Sequence, residues 1–331
     1  MKHVLVIGGA GYIASHTVKL LHNNGYTVII FDNLSTGFKK LAKYGELIVG
    51  DLANHDDLDK VFQKYKIDTV FHFAAFAYIG ESVVAPQKYY KNNVSNTINL
   101  LEVMLKHNIK KIIFSSTCAV FGIPQYLPID EKHPKNPINP YGRTKLMIEQ
   151  IMQDYDSAYG LKYIILRYFN AGGADKDLEL GEMHNPETHL IPLAIDALYT
   201  QKELKVFGDD YETKDGTCIR DYVHVEDLAF AHLKAYNYLN ENLSSNIFNL
   251  GTKTGYSIME IINSIENIGS KKLNFTIKKR RVGDPHTLIA SYSKAKDILG
   301  WEPAYSDIDT IIRSAIGWYK KSTASSNTNH C

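Results

Sequence analysis

Tyr141 and Lys145 stand four positions apart in Asn139-Pro140-Tyr141-Gly142-Arg143-Thr144-Lys145, and a phenol beside an ammonium can carry a proton during redox chemistry. Asn followed by Pro reads as a helix start, with Asn139 as cap and Pro140 in the first turn. Positions i and i+4 share a helix face, so both side chains are predicted to enter one site. A free tyrosine titrates near pH ~10 and is a weak base at neutral pH. A neighbouring lysine cation favours the phenolate and is expected to draw that pKa down, toward the range of a general acid or base. The same spacing also occurs on solvent-facing helices, where it is a plain polar pair. The rest of the chain has to decide.

A second candidate lies at the start. Gly8-Gly9-Ala10-Gly11-Tyr12-Ile13-Ala14 follows the apolar run 4–7 and opens a helical pattern. Small residues there let the backbone turn sharply and approach a pyrophosphate seated on the helix N-terminus; Ala14 stands where a third glycine is common. An acid follows at the end of the next apolar run: Asp32, 21 positions after Gly11. Asp32 can accept from a ribose 2′-hydroxyl and would repel a 2′-phosphate. No arginine follows it in Asn33-Leu34-Ser35-Thr36, so NAD is favoured over NADP. Asp51, after a third run, could meet the adenine or simply close a turn.

These motifs need strands and helices to hold them. Apolar runs at 4–7, 27–31, 47–49, 69–73, 111–115 and 163–167 alternate with helical patterns, including a long one at 89–107, as in a parallel α/β sheet. The expected fold is therefore a Rossmann-type doubly wound parallel sheet with a smaller, interleaved C-terminal substrate domain. The expected division is an NAD-binding domain at 1–171, a substrate domain at 172–321 and a flexible polar tail at 322–331. A strand near 247–250 is expected to return to the first sheet.

Composition excludes several classes. Among 331 residues, 37 basic and 36 acidic side chains leave a net charge of +1, which argues against a nucleic-acid binder working by bulk charge. Cys118, Cys218 and Cys331 lack C-x-x-C or His-rich spacing; they suit a reducing compartment and give no metal site. The run 4–7 is too short for a signal segment, and no stretch approaches ~18 uninterrupted apolar residues. A soluble cytoplasmic protein with no membrane partner is expected.

The motifs occur together along nearly the whole chain: GGAGYIASHT at 8–17, FDNLSTG at 31–37, HFAAFAYIGES at 72–82, YYKNNV at 89–94, FSSTCAVFG at 114–122, NPYGRTKLMIEQ at 139–150, LRYFNAGGA at 166–174 and RDYVHVEDLA at 220–229. In this order they resemble the extended short-chain dehydrogenases/reductases, and among them the UDP-glucose 4-epimerase family. The resemblance implies interconversion of UDP-glucose and UDP-galactose through a 4-keto sugar, with tightly bound NAD. It implies catalytic roles for Tyr141, Lys145 and Thr117, with Thr117 on the sugar 4-hydroxyl and Lys145 on the nicotinamide ribose. For the cofactor it implies Gly8, Gly11, Tyr12, Ile13, Asp32, Asn33, Asp51, Leu52, Phe73, Ala74, Ala75, Asn92, Ser115 and Phe169, beside Tyr141 and Lys145. For the UDP-hexose it implies Asn170, His189, Leu190, Phe207, Arg220, Tyr222, Arg281, Asp284 and Leu288, with the two arginines on the diphosphate and Asp284 on a ribose hydroxyl. It also implies a homodimer built on the 89–107 helix and the Tyr141 helix.

Three positions depart from the family pattern. Ala77 stands where many members have a lysine near the cofactor. His189 replaces an asparagine on the diphosphate; as a neutral imidazole it could still donate, and its titration would make binding pH-dependent. Leu288 stands where a tyrosine limits the sugar pocket to plain hexoses, and its smaller size leaves room for an N-acetyl group. UDP-N-acetylhexosamines are thus alternative substrates, as are UDP-pentoses, and a non-catalytic NAD-binding protein is the alternative of another class. A 4,6-dehydratase is disfavoured because Cys118-Ala119 follow Thr117, with no acidic pair.

Overall fold

The computed structural model describes residues 3–281 and 284–327. In chain order the elements are β1 (His3–Ile7), α1 (Tyr12–Asn23), β2 (Thr27–Asp32), β3 (Glu46–Val49), α2 (His55–Lys64), β4 (Ile67–His72), α3 (Ile79–Val84), α4 (Pro86–Tyr89), α5 (Asn96–Lys106), β5 (Lys111–Thr117), α6 (Pro140–Tyr159), β6 (Lys162–Tyr168) and β7 (Asn170–Gly172). There follow α7 (Leu190–Thr200), β8 (Leu204–Phe207), β9 (Ile219–Arg220), β10 (Tyr222–His224), α8 (Val225–Asn242), β11 (Asn246–Leu250), β12 (Tyr256–Ser257), α9 (Ile258–Gly269), β13 (Phe275–Lys278), β14 (Thr287–Leu288) and α10 (Ile308–Asn327).

Seven strands form one parallel sheet in the order β11-β6-β5-β4-β1-β2-β3. Side chains alternate between faces along each strand, and in β1 both sets are apolar. Val4 and Val6 join one core with Val28 and Ile30 of β2, while Leu5 and Ile7 join the other with Ile29 and Phe31. The first face is covered by α1 and α8 through Val18, Leu21, Leu228 and Ala235. The second is covered by α2, α5 and α6 through Leu58, Leu100, Met104 and Ile148. A strand buried on both faces must read as an unbroken apolar run. Burying each aliphatic side chain is worth about 1.5–3 kcal/mol.

A third core gathers α7, α9 and α10 with β8 and β13, through Ile195, Leu198, Val206, Ile262 and Ile312. Between this body and the large sheet run short pairings, β7 with β10 and β12-β9-β14. β11 lies far along the chain yet pairs in parallel with β6 on the edge of the large sheet.

Two elements differ from the sequence reading. The helical pattern at 89–107 is not one regular helix: a wide π-type turn at Tyr90–Ser95 separates α4 from α5. Asn93 is fully buried there and brackets the backbone of Phe76, accepting from its N–H at 2.9 Å and donating to its carbonyl at 3.0 Å. The polar tail also begins later than expected, because α10 continues as helix to Asn327; residues 328–331 lie outside the described residues.

Among the buried imidazoles are His16, His72, His224 and His232. Burial pulls His72 down to about 3, helped by the Lys145 charge, and pulls the other three down to about 4. In the unfolded chain each titrates near ~6.5. Neutral imidazoles therefore stabilise the fold above that pH, and the contribution is lost as acid protonates the unfolded chain first. The melting temperature should fall as pH drops from 7 to 5, with net proton uptake on unfolding; a flat or rising profile by circular dichroism would contradict this account.

Candidate active site

A cleft of about 780 Å³ opens along the carboxyl ends of β1, β2, β4, β5 and β6 and is closed on its far side by the segment leading into α7, by β9 and β10 and by residues around β14. Ligands of open parallel sheets bind in this place. Its first wall is the glycine loop. Gly8 adopts φ +78°, and a side chain there would put Cβ 2.7 Å from the Ala74 nitrogen. The loop after β1 and the loop after β4 can touch only because Gly8 has none. The Gly8 N–H donates to the Phe31 carbonyl at 2.8 Å, and α1 starts at Tyr12 with no side-chain cap, leaving its first N–H groups for an anion.

Asp32 is held by two backbone donors, Ala10 N–H at 2.9 Å and Leu34 N–H at 2.8 Å, while burial pushes its carboxyl pKa up. Asp51 accepts from the Asn33 amide and the Ala53 N–H, so it closes a turn within the cleft wall. Tyr12, Ile13, Leu52, Phe73, Ala75 and Asn92 complete this half. A tight glycine cradle, a bare helix start and a fixed acid without a nearby base fit a dinucleotide of the NAD type.

At the centre of the cleft α6 meets β5. Asn139 caps α6 as its sequence predicts, accepting from the Gly142 N–H at 2.8 Å. A Cβ at Gly142 would come within 2.5 Å of the Ala119 carbonyl, so this glycine lets α6 seat against the turn after β5. That contact brings Tyr141 to Thr117, the last residue of β5. Lys145 is buried, with its ammonium donating to the Ser115 carbonyl at 2.7 Å and lying 4.7 Å from the centre of the Phe114 ring. Beneath it, Glu149 accepts from Arg167 Nε at 2.9 Å, from Arg167 Nη2 at 2.5 Å and from the Ser116 hydroxyl at 2.6 Å.

The electrostatics correct the expectation for the pair. Burial pushes the Tyr141 phenol up to about 12, with only the Thr117 hydroxyl pulling it back. Burial also lowers Lys145 to about 7 against the opposing charge of Glu149. The ammonium is engaged by the Ser115 carbonyl, and desolvation of the phenolate outweighs it.

Residues 4–251 match the model of the NAD dependent epimerase/dehydratase family. The chain belongs to that family. Over 320 residues it is 49% identical to the UDP-glucose 4-epimerase of Rhizobium leguminosarum bv. trifolii, covering 96% of this chain and 98% of the relative. The crystal structure of UDP-glucose 4-epimerase from Brucella ovis in complex with NAD superposes with a TM-score of 0.93 at 50% identity, over 96% of this chain and 98% of that one. The UDP-Glc/GlcNAc 4-epimerase from Campylobacter jejuni superposes with a TM-score of 0.84 at 40% identity, over 97% of this chain and 100% of that one. Among the described residues no helix is long and apolar enough to cross a membrane.

In this epimerase/dehydratase chain the opposite wall of the cleft carries Asn170, His189, Leu190, Arg220, Tyr222, Arg281, Asp284 and Leu288. Arg220 is ion-paired with Asp284. Phe207 lies beside that wall, its ring centre 4.1 Å from the Arg281 guanidinium. Phe169 and Leu288 pack with Val120, Phe121, Ile129 and Ala290 at the end of the cleft near Tyr141.

His189 also differs from its sequence reading. Burial disfavours its cation, but Glu182 and Glu187 outweigh burial and raise it to about 10; the same carboxylates raise His184 to about 9. The imidazole is therefore a cation at neutral pH. Glu182, His184 and Glu187 were not singled out in the sequence, although the spacing E-x-H-x-x-E-x-H at 182–189 was there to be read. Tyr168, hydrogen-bonded to Ser115 in the cleft, was also missed.

Proposed function

We propose that the chain interconverts UDP-glucose and UDP-galactose by oxidising and re-reducing C4 of the sugar. The observation that carries the reading is the placement of Thr117, Tyr141 and Lys145 between the dinucleotide cradle and the arginine-bearing wall of a single cleft. Gly8, Gly11 and Asp32 would hold NAD, which would supply the hydride acceptor and donor at C4 and a positive charge favouring the Tyr141 phenolate. Tyr141 takes the proton of the 4-hydroxyl and returns it once the opposite face of C4 is presented. Thr117 can both donate and accept, so it orients that oxygen beside the phenol. Lys145, lowered to about 7 by burial, lies on the ribose side of the site, where Glu149 favours its charged form.

The nucleotide must stay fixed while the hexosyl ring turns. Arg220 and Arg281 suit the diphosphate because a guanidinium fork binds phosphate oxygens in pairs. A phosphate that takes over Arg220 would release Asp284 to accept from a ribose hydroxyl. The His189 cation adds a further donor, in place of the uncharged amide common in the family. Replacing Tyr141→Phe is expected to abolish turnover of UDP-galactose while leaving UDP affinity within a few-fold; turnover near the wild-type rate would remove Tyr141 from the mechanism.

A second reading, use of UDP-N-acetylhexosamines, is favoured by Leu288, a buried branched residue beside Phe169 where a larger ring would narrow the pocket. With Leu288→Tyr, activity on UDP-N-acetylgalactosamine should drop at least tenfold more than on UDP-galactose. Equal losses on both substrates would refute the gate. A homodimer through α5 and α6 belongs to the same proposal; sedimentation as a single chain at micromolar concentration would remove it.

A further inference from the structure

Glu182, His184, Glu187 and His189 come from one loop, and each offers one ligand atom within 4.8 Å of the others. Their nitrogen–oxygen separations are short enough for one ion to be shared, with Glu187 meeting the two histidines through its two different oxygens. His184 Nδ1 lies 3.3 Å from Glu187 Oε2 and 3.4 Å from Glu182 Oε1, and His189 Nδ1 lies 3.4 Å from Glu187 Oε1. A tetrahedral zinc ion with bonds of about 2.0–2.1 Å sets its ligands about 3.3–3.4 Å apart. Only the fourth pair is closer, His189 Nδ1 to Glu182 Oε1 at 2.7 Å, where a shared proton draws the two together.

We propose that this cluster is a binding site for a zinc-class divalent cation, seated at the diphosphate end of the cleft. Two imidazoles and two carboxylates suit zinc; magnesium and calcium favour all-oxygen shells. Two carboxylates also neutralise a dication. The shell is braced from behind, as metal ligands are. Glu187 Oε1 accepts from the backbone N–H groups of Thr188 at 2.7 Å and His189 at 2.9 Å. The Tyr78 hydroxyl donates to the Pro186 carbonyl at 3.1 Å, tying the loop to the chain after β4. Glu182, His184 and His189 face the cleft, which gives the ion a path in. Binding puts the metal where protons now sit, so each imidazole releases a proton as its Nδ1 takes up the bond.

A zinc site sought through the cysteines is absent from the sequence, whereas this one is written in eight consecutive residues without any cysteine. It shares His189 with the diphosphate contact proposed above, and an ion bound there would supply the positive charge that the imidazolium otherwise carries. The test is calorimetric titration of the NAD-containing protein, stripped of metal by chelation, with zinc chloride in a phosphate-free buffer. One equivalent should bind saturably. His184→Ala and Glu187→Gln should each weaken that binding by about 10–100-fold, and cobalt(II) in the same site should show the intense visible bands of a tetrahedral ion. Absence of a saturable equivalent in the wild-type protein, or unchanged affinity in both variants, would overturn the proposal. Epimerisation of UDP-galactose by the metal-stripped wild-type protein, measured alongside, shows separately whether the proposed reaction stands.

Discussion

An ammonium almost out of reach of water governs the middle of this molecule. Lys145 is 2% exposed, and a buried cation is costly unless neighbours answer its charge. The Ser115 carbonyl and the Phe114 ring meet it directly, and Glu149 supports it from below. Glu149 is itself buried, so it needs Arg167 and Ser116. The chain of answers runs through α6, β5 and β6. Breaking such a pair by removing one partner typically costs about 3–5 kcal/mol. The relative height of the helix and the two strands is thereby fixed, and with it the meeting of Tyr141 and Thr117. The meeting of this phenol and hydroxyl follows from satisfying one charge.

Much of this was legible in the amino-acid order because it is local. The runs around Val4 to Ile7 and Val28 to Phe31 could only be strands covered on both sides. The Asn139-Pro140 pair could only begin a helix, and it does so with the expected cap. Gly8 and Gly142 each mark a contact between two segments of backbone, and each is needed where a Cβ would collide. In these cases a residue's neighbours in sequence carry the whole physical reason for its conformation.

The remainder depends on what is brought together from afar. Spacing alone suggested that Lys145 lowers the Tyr141 pKa, but the sign is set by burial, which no spacing reports. The π-type turn at Tyr90–Ser95 exists because Asn93 reaches the backbone of Phe76, 17 residues away; its sequence reads as ordinary helix. Phe207 and Arg281 lie far apart in the chain, and only the fold sets one against the other. His189 was read alone and is one of four interacting groups. Charge state follows from company, and company is a property of the fold.

The edge strand β11 carries one more consequence. Its partner β6 ends at Tyr168, yet β11 is not complete until Leu250. During synthesis the growing sheet must wait with one flank of β6 open while roughly eighty further residues are made, at about 5–20 residues per second. For several seconds the nascent chain presents an unpaired, apolar strand border of the kind that recruits other chains. The protein therefore exposes this border after the strands around the glycine loop have been made, and the length of the exposure is set by the synthesis of β11.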